Sequence, residues 1–369
     1  MNPPVRFDPS VEQVQTDEEE VIGDLNDSFR RILDTTSKDY GHGVRSVHAK
    51  AHGIAKGTLT VHGGLPPELA QGLFARPGAY EAVIRISTNP GDLLDDSISV
   101  PRGLALKVLG VEGERLPGSE GETTQDFILV NGPVFTASDA KAFSKNLKML
   151  SATTDKAEGG KKLVSGLLQA LNAPLAAIGM PSPTLTQLGG APNVHPLGET
   201  YYSQTPFRYG EHIAKFSLAP VSKPLTELTG DKVNTTDRPD ALREVVNEVL
   251  QSQGGTWEFR VQLNRDVDAM PVEDPTKRWD EKQSPFIAVA TLEVPHQPSW
   301  GHTESQALDQ ALSYNVWHGL AAHRPLGNIN RARNAPYRFS ADYRSRVNGC
   351  PMHEPGALTD LPVQGMRMG

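Results

Sequence analysis

A single cysteine, Cys350, among 369 residues leaves no intramolecular disulfide to form. So thiol-poor a chain fits a reducing compartment, and the cytoplasm is the expected location. Cys350 has no catalytic pattern around it and reads as an unreactive thiol. No run approaches the roughly 18 consecutive apolar residues that span a bilayer. The opening stretch, MNPPVRFDPSVEQVQTDEEE, lacks the basic region and apolar core of a secretory signal. Basic excess is missing too: 36 Lys and Arg face 44 Asp and Glu, a net charge of -8. That balance argues against nucleic acid as a partner. No GxGxxG follows a strand pattern, and the EGGK at 158–161 does not meet the spacing of a phosphate-binding loop. Internal repeats and low-complexity tracts are also absent.

What is present is ordinary globular composition, 37% hydrophobic and 22% charged, with enough chain for a sizeable core. Residues 1–40 read as an N-terminal arm or surface helix. Its apolar stripe is Val11, Val14, Val21, Leu25, Phe29 and Leu33, interrupted by the acidic residues 17–20 and ended by Gly41 and Gly43. Strand-like alternation occupies 58–61, 80–87, 103–109, 126–135 with its exit, 257–264 and 286–294. Helical patterns cover 161–171, 240–250 and 331–346, the last containing Pro336, which removes one backbone hydrogen bond. Residues 110–125 read as an exposed loop and 172–206 as a long one, and the chain past 349 as a loose tail. Strands and helices intermingle without βαβ alternation. An α+β fold follows, a mostly antiparallel sheet or barrel with added helices, its core at 41–349 and its tail at 350–369.

Three clusters could carry chemistry. His48 and His52 are four residues apart, a spacing suited to two metal ligands or to two histidines with structural hydrogen bonds. Arg85 lies in a strand between Ile84 and Ile86. A buried guanidinium there needs an anion, from the protein or from a ligand. Arg333 and Tyr337 would share one face of a helix. That is either a basic surface helix or a guanidinium that favours a phenolate, since free tyrosine ionises only near pH 10.

Together these segments resemble the catalases, in order and at comparable separations over residues 41–349. Residues 44–57 are similar to the family's R-x-V-H-A-K-G element, 84–88 to V-R-F-S-T, and 101–107 to P-R-G-F-A-V-K. Residues 126–135 resemble D-L-x-x-N-N-x-P-x-F, 208–212 a Y-G-x-H turn, 257–262 W-x-F-x-x-Q, and 333–337 R-x-x-x-Y. The resemblance implies an antiparallel eight-stranded catalase-type β-barrel with surrounding helices and haem b buried against it. It implies Tyr337 as the axial ligand of the iron, catalase being the standard case of tyrosine-ligated haem. Arg333 would hydrogen-bond that oxygen. His48 would move the peroxide proton, Ser87 would hold the His48 ring, and Asn131 would help orient peroxide. Arg45, Arg85 and Arg344 would pair with the propionates, and Val47, Phe135 and Phe143 would border the haem pocket.

Departures from the family pattern shape the expected activity. Val130 stands where the first Asn of a pair is expected, Thr136 where a second Phe is usual, and one extra residue separates His48 from Gly57. The family's wrapping segment and C-terminal helical domain have no counterpart here. Residues 271–279 and 323–330 resemble the small catalase-related proteins, which include peroxidases and the catalase-like allene oxide synthases. Val47 before His48 resembles true catalases. The expected activity is a haem-dependent peroxidase with weak catalase activity, acting on hydrogen peroxide or small organic hydroperoxides with a small-molecule reductant. The alternatives are a fatty-acid hydroperoxide isomerase, dehydratase or lyase, and a haem-binding or sensing protein with little turnover. A homodimer or monomer is expected.

Overall fold

The computed structural model describes residues 1–151, 191–301 and 303–361. The expected helix at 161–171 and the first part of the 172–206 loop lie outside the described residues. Nine strands form one antiparallel sheet: β1 Ala51–Val61, β2 Gly78–Thr88, β3 Arg102–Val108, β4 Gln125–Val130, β5 Tyr201–Tyr202, β6 Phe207–Tyr209, β7 His212–Pro220, β8 Gly255–Leu263 and β9 Ile287–Val294. Their order is β5-β4-β3-β2-β1-β9-β8-β7-β6, and β5 also pairs with β7. That second pairing closes eight of the strands into a barrel and leaves β6 on the remaining edge of β7. Closure is what removes exposed sheet edges.

The barrel interior is filled by aromatic side chains rather than left open. Phe127 lies 4.7 Å from Phe259 between ring centroids, Phe74 lies 5.1 Å from Phe259, and His323 packs among them. Strand alternation explains the filling: Ile84, Ile86, Leu104 and Leu106 enter this core, so their neighbours face outward.

Among the described residues the longer helices are α1 Glu18–Tyr40, α2 Ala140–Ser151, α3 Ala241–Ser252, α4 Thr303–Ala311 and α5 Asn328–Asn348. The acidic residues that interrupt the N-terminal stripe begin α1. Glu18, Glu19 and Glu20 occupy its first turn, where the helix dipole favours negative charge. Upstream, Pro9–Val11 forms only a short 3-10 turn and Val14 is exposed, so the stripe starts later than the periodicity predicts. From Val21 to Ile32 the stripe packs on Ala140, Leu147, Ile329 and Ala332. The helix is thus a wall of the protein, not an arm. Gly41 ends it in the left-handed conformation, φ 69°. Pro336 sits inside α5, which runs from three residues before the expected start to two after the expected end.

Other expectations need correction. The 110–125 segment is a loop, but Val111, Leu116 and Ser119 are buried, so it is not simply exposed. The end of the expected long loop carries β5, too short to show alternation. The chain past 349 is packed as far as residue 361. Leu361 is buried, and Glu354 accepts from Lys107 Nζ at 2.6 Å while Lys107 also pairs with Asp126 at 2.8 Å. His318 stands in the same cluster, with Nδ1 3.3 Å from Glu354 and 3.8 Å from Asp126, and Nε2 3.6 Å from Glu122. Among the described residues no helix is long and apolar enough to cross a membrane.

Candidate active site

Alternation on β2 turns Arg85 and Ser87 away from the barrel core. Beside the face they share lies a cavity of about 510 Å³, lined by Leu25 and Phe29 of α1, Phe143 of α2 and Ile329 and Ala332 of α5. Val47, His48, Ile128 and Tyr337 border both this cavity and an adjoining cleft of about 60 Å³, in which Arg45, Arg85 and Arg344 stand.

His48 precedes β1 in a strained conformation. Its φ is 53°, in the left-handed region. For a non-glycine residue that costs of order 1–3 kcal/mol and persists only where the surroundings impose it. Here the backbone N–H of His48 donates to Asn89 O at 2.8 Å and that of Ala49 to Pro90 O at 3.0 Å. Ring Nδ1 meets Ser87 Oγ at 3.1 Å. Gly103 on β3 leaves the ring its space: a Cβ there would lie 2.4 Å from His48 Cε1. Burial first, then the charges of Arg85, Arg333 and Arg45, push the imidazole pKa down to about 3. The ring is therefore neutral at pH 7. In the tautomer that donates Nδ1–H to Ser87 Oγ, Nε2 is a free base on the cavity wall.

Tyr337 borders the same cavity from α5. Arg333, one helical turn earlier, donates from Nη2 to the phenol oxygen at 2.9 Å, and its guanidinium carbon lies 5.2 Å from the ring centroid. Its Nη1 donates to Asn330 Oδ1 at 3.2 Å, which fixes the fork.

At the cleft, three guanidiniums stand near one carboxylate, and two of them bond it. Arg45 Nη1 and Arg85 Nε donate to Asp309 Oδ1 at 2.8 and 2.6 Å. Arg344 is bonded to the carbonyls of Gln310 and Leu312, and its buried Nε has no hydrogen-bond partner. Burial and then Arg85 lower the Arg45 pKa to about 10 against the pull of Asp309. Burial and then Arg45 lower that of Arg344 well below its usual value. Burial works against the Asp309 charge, but Arg45 and Arg85 hold its carboxyl below the usual range. Two buried positive charges are left over, a site that two further carboxylates would complete.

The other expected residues fall as follows. Val47, Phe135 and Phe143 line the cavity, the two phenylalanines edge to face at 5.3 Å. Asn131 lines it too, beside Val130 and Thr136. His52 does not: it is buried against Thr88, Nε2 to Oγ1 3.3 Å, so the two histidines form no metal pair. Sequence reasoning missed Asp309, an acid on a short helix with no pattern around it. It also missed the role of Leu25 and Phe29, which the apolar stripe of α1 had already marked.

No family model matches the chain. A catalase of the Onchocerca volvulus endobacterium is 25% identical over 365 residues, spanning 87% of this chain and 71% of that protein. Catalase A from Saccharomyces cerevisiae superposes with a TM-score of 0.58 at 17% identity, over 90% of this chain and 72% of that one. The chain has the catalase fold. A fungal catalase gives a TM-score of 0.57 at 18% identity, over 91% of this chain and 70% of its own. The antiparallel eight-stranded barrel expected from the resemblance is the one formed, and the cavity between His48 and Tyr337 lies on the outer face of a catalase-type barrel.

Proposed function

We propose that this chain is a haem-dependent oxidoreductase of the small catalase-related kind. Its activity is that of a peroxidase with weak catalase activity, reducing hydrogen peroxide or small organic hydroperoxides with a small-molecule donor. One observation carries the reading: a neutral histidine and an arginine-bonded tyrosine border one cavity, and the cleft that adjoins it holds buried guanidiniums with unmatched charge.

The residues present fit haem b. Tyr337 offers an oxygen ligand, Arg45, Arg85 and Arg344 offer cations for two propionates, and Val47, Phe135 and Phe143 offer apolar contact. When bound, haem b supplies an iron that coordinates peroxide and exchanges the electrons that split its O–O bond. Arg333 stabilises negative charge on the Tyr337 oxygen by direct donation. His48 Nε2 accepts a proton from the peroxide and returns it to the departing oxygen as water forms. Ser87 holds the ring in place at Nδ1 and so turns Nε2 to the cavity, and Leu25, Phe29 and Phe143 limit water at the reacting end.

The test is an absorption spectrum of the haem-reconstituted protein beside Tyr337→Phe. A high-spin ferric spectrum with phenolate character, lost in the variant, is expected. An unchanged spectrum in the variant refutes the assignment of Tyr337. Oxidation of guaiacol-type donors should then outpace dismutation of peroxide, and the reverse ranking would make the protein a catalase instead.

A further inference from the structure

Asn131 is held by hydrogen bonds at both ends of its side-chain amide. It follows β4, and its backbone is clamped to the start of β3: its N–H donates to Arg102 O at 3.0 Å, and Arg102 N–H donates back to Asn131 Oδ1 at 2.8 Å. On the other side of the amide, Nδ2 donates to Glu199 Oε1 at 2.7 Å. Glu199 is itself braced. Arg102 Nη1 lies 3.5 Å from its Oε2, and the Arg102 side chain is fully buried with Nη2 donating to Pro192 O at 2.9 Å. A side-chain amide carries two N–H donors and one carbonyl. Here the carbonyl is spent on backbone and one N–H on Glu199, so a single N–H is left for the cavity that Asn131 lines.

We propose that Glu199, braced by Arg102, is a positioning residue that fixes the Asn131 amide so that it meets peroxide as a donor. This rests on the peroxidase reading above. The direction of the amide matters because His48 is the proton acceptor. An N–H turned to the cavity that both residues line supports the peroxide oxygen through its lone pair. A flipped amide would offer a carbonyl that competes with His48 Nε2 for the same proton. Glu199, an obligate acceptor when ionised, opposes the flip, since a flipped amide would set oxygen against oxygen.

The experiment uses the whole chain, with Glu199→Leu, Glu199→Gln, Asn131→Ala and the double variant Asn131→Ala/Glu199→Leu. In haem-free protein labelled with ¹⁵N-asparagine, the Asn131 side-chain amide signals should move in Glu199→Leu and stay near their wild-type position in Glu199→Gln, which keeps an acceptor oxygen. In haem-loaded protein, Glu199→Leu should lower kcat/KM for hydrogen peroxide about tenfold, the worth of one good hydrogen bond. It should lower it no further in the Asn131→Ala background, since two residues acting through one contact are not additive. Equal losses in both backgrounds, or Asn131 signals unmoved by Glu199→Leu, overturn the proposal. If Glu199→Leu does not fold, a folded Glu199→Gln whose Asn131 signals are lost from their wild-type position overturns it as well. If wild-type protein with haem bound does not consume peroxide, the peroxidase reading fails, while the haem-free spectra still decide whether Glu199 sets the amide.

Discussion

Replacing Asp309 by Asn should destabilise the haem-free protein far more than the haem-loaded one. Among the described residues Asp309 is the one carboxylate bonded to Arg45 and Arg85, at 2.8 and 2.6 Å, and its side chain is 16% exposed. Removing one partner of such a buried pair costs about 3–5 kcal/mol, because the other charges stay behind unpaired. Here Arg45 and Arg85 would lose their shared anion, and Arg344 the negative charge nearby. With an m-value of about 3 kcal/mol/M, that loss lowers the urea midpoint by about 1–2 M. In the haem-loaded protein two propionates would stand beside the same guanidiniums, and the drop should shrink by half or more. The pH dependence has a fixed sign. Asp309 has a folded pKa below its ordinary 3.8, so its contribution is complete above about pH 4 and is lost as pH falls through the folded value. The assay is urea unfolding by tryptophan fluorescence at pH 7, with and without haem. Equal midpoint losses in the two forms would refute the idea that this cage receives the propionates. No loss in either would refute the charge accounting itself.

Other outcomes follow from the same geometry. Gly103→Ala would place a methyl group 2.6 Å from His48 Nδ1 and should cut peroxide turnover about a hundredfold while leaving haem uptake near normal, measured by Soret titration. Phe74→Ala should cost about 3–5 kcal/mol in denaturant unfolding, since the ring is fully buried and stacked on Phe259 at 5.1 Å. His318 has its pKa raised above 6.5: burial opposes the charge, but the Glu354 carboxylate 3.3 Å away and the field of Asp126 outweigh it. Its stabilisation is full below pH 6.5 and is lost as pH rises through the folded value. Hydrogen-exchange protection factors at 350–361 should therefore fall on the alkaline side, and His318→Gln should abolish that pH dependence.

The parts legible in sequence were those with period or punctuation. Strand alternation located Arg85 and Ser87 on one face of β2, and the RxxxY spacing put Arg333 against Tyr337 on α5. The acidic break before Val21 marks a helix start once the fold is known, because charge at a first turn interrupts an apolar stripe without ending it. β5 was not legible, since two residues cannot show alternation. Neither was Asp309, whose meaning lies in which arginines reach it from β2 and from the segment before β1. The packed stretch at 350–361 was hidden for a similar reason: Glu354 is one acid in a Pro- and Gly-containing run until Lys107 and His318 are seen around it.

The two-residue strand that completes the barrel makes it a hoop with a clasp. β1 and β2 are paired over ten positions, whereas β5 meets β7 at two, Tyr201 with Leu218 and Tyr202 with Ser217, and β4 at one, Val130 with Tyr202. Tyr202 is thus the pin through both sides of the join. A hoop under thermal load parts where it is held by the fewest bonds, and local opening in proteins follows the same ordering. The join lies next to Val130 and Asn131, so the seam that would part first is also a side of the cavity. Strengthening that clasp would stiffen the cavity, and loosening it would let the cavity breathe without unfolding the rest of the ring.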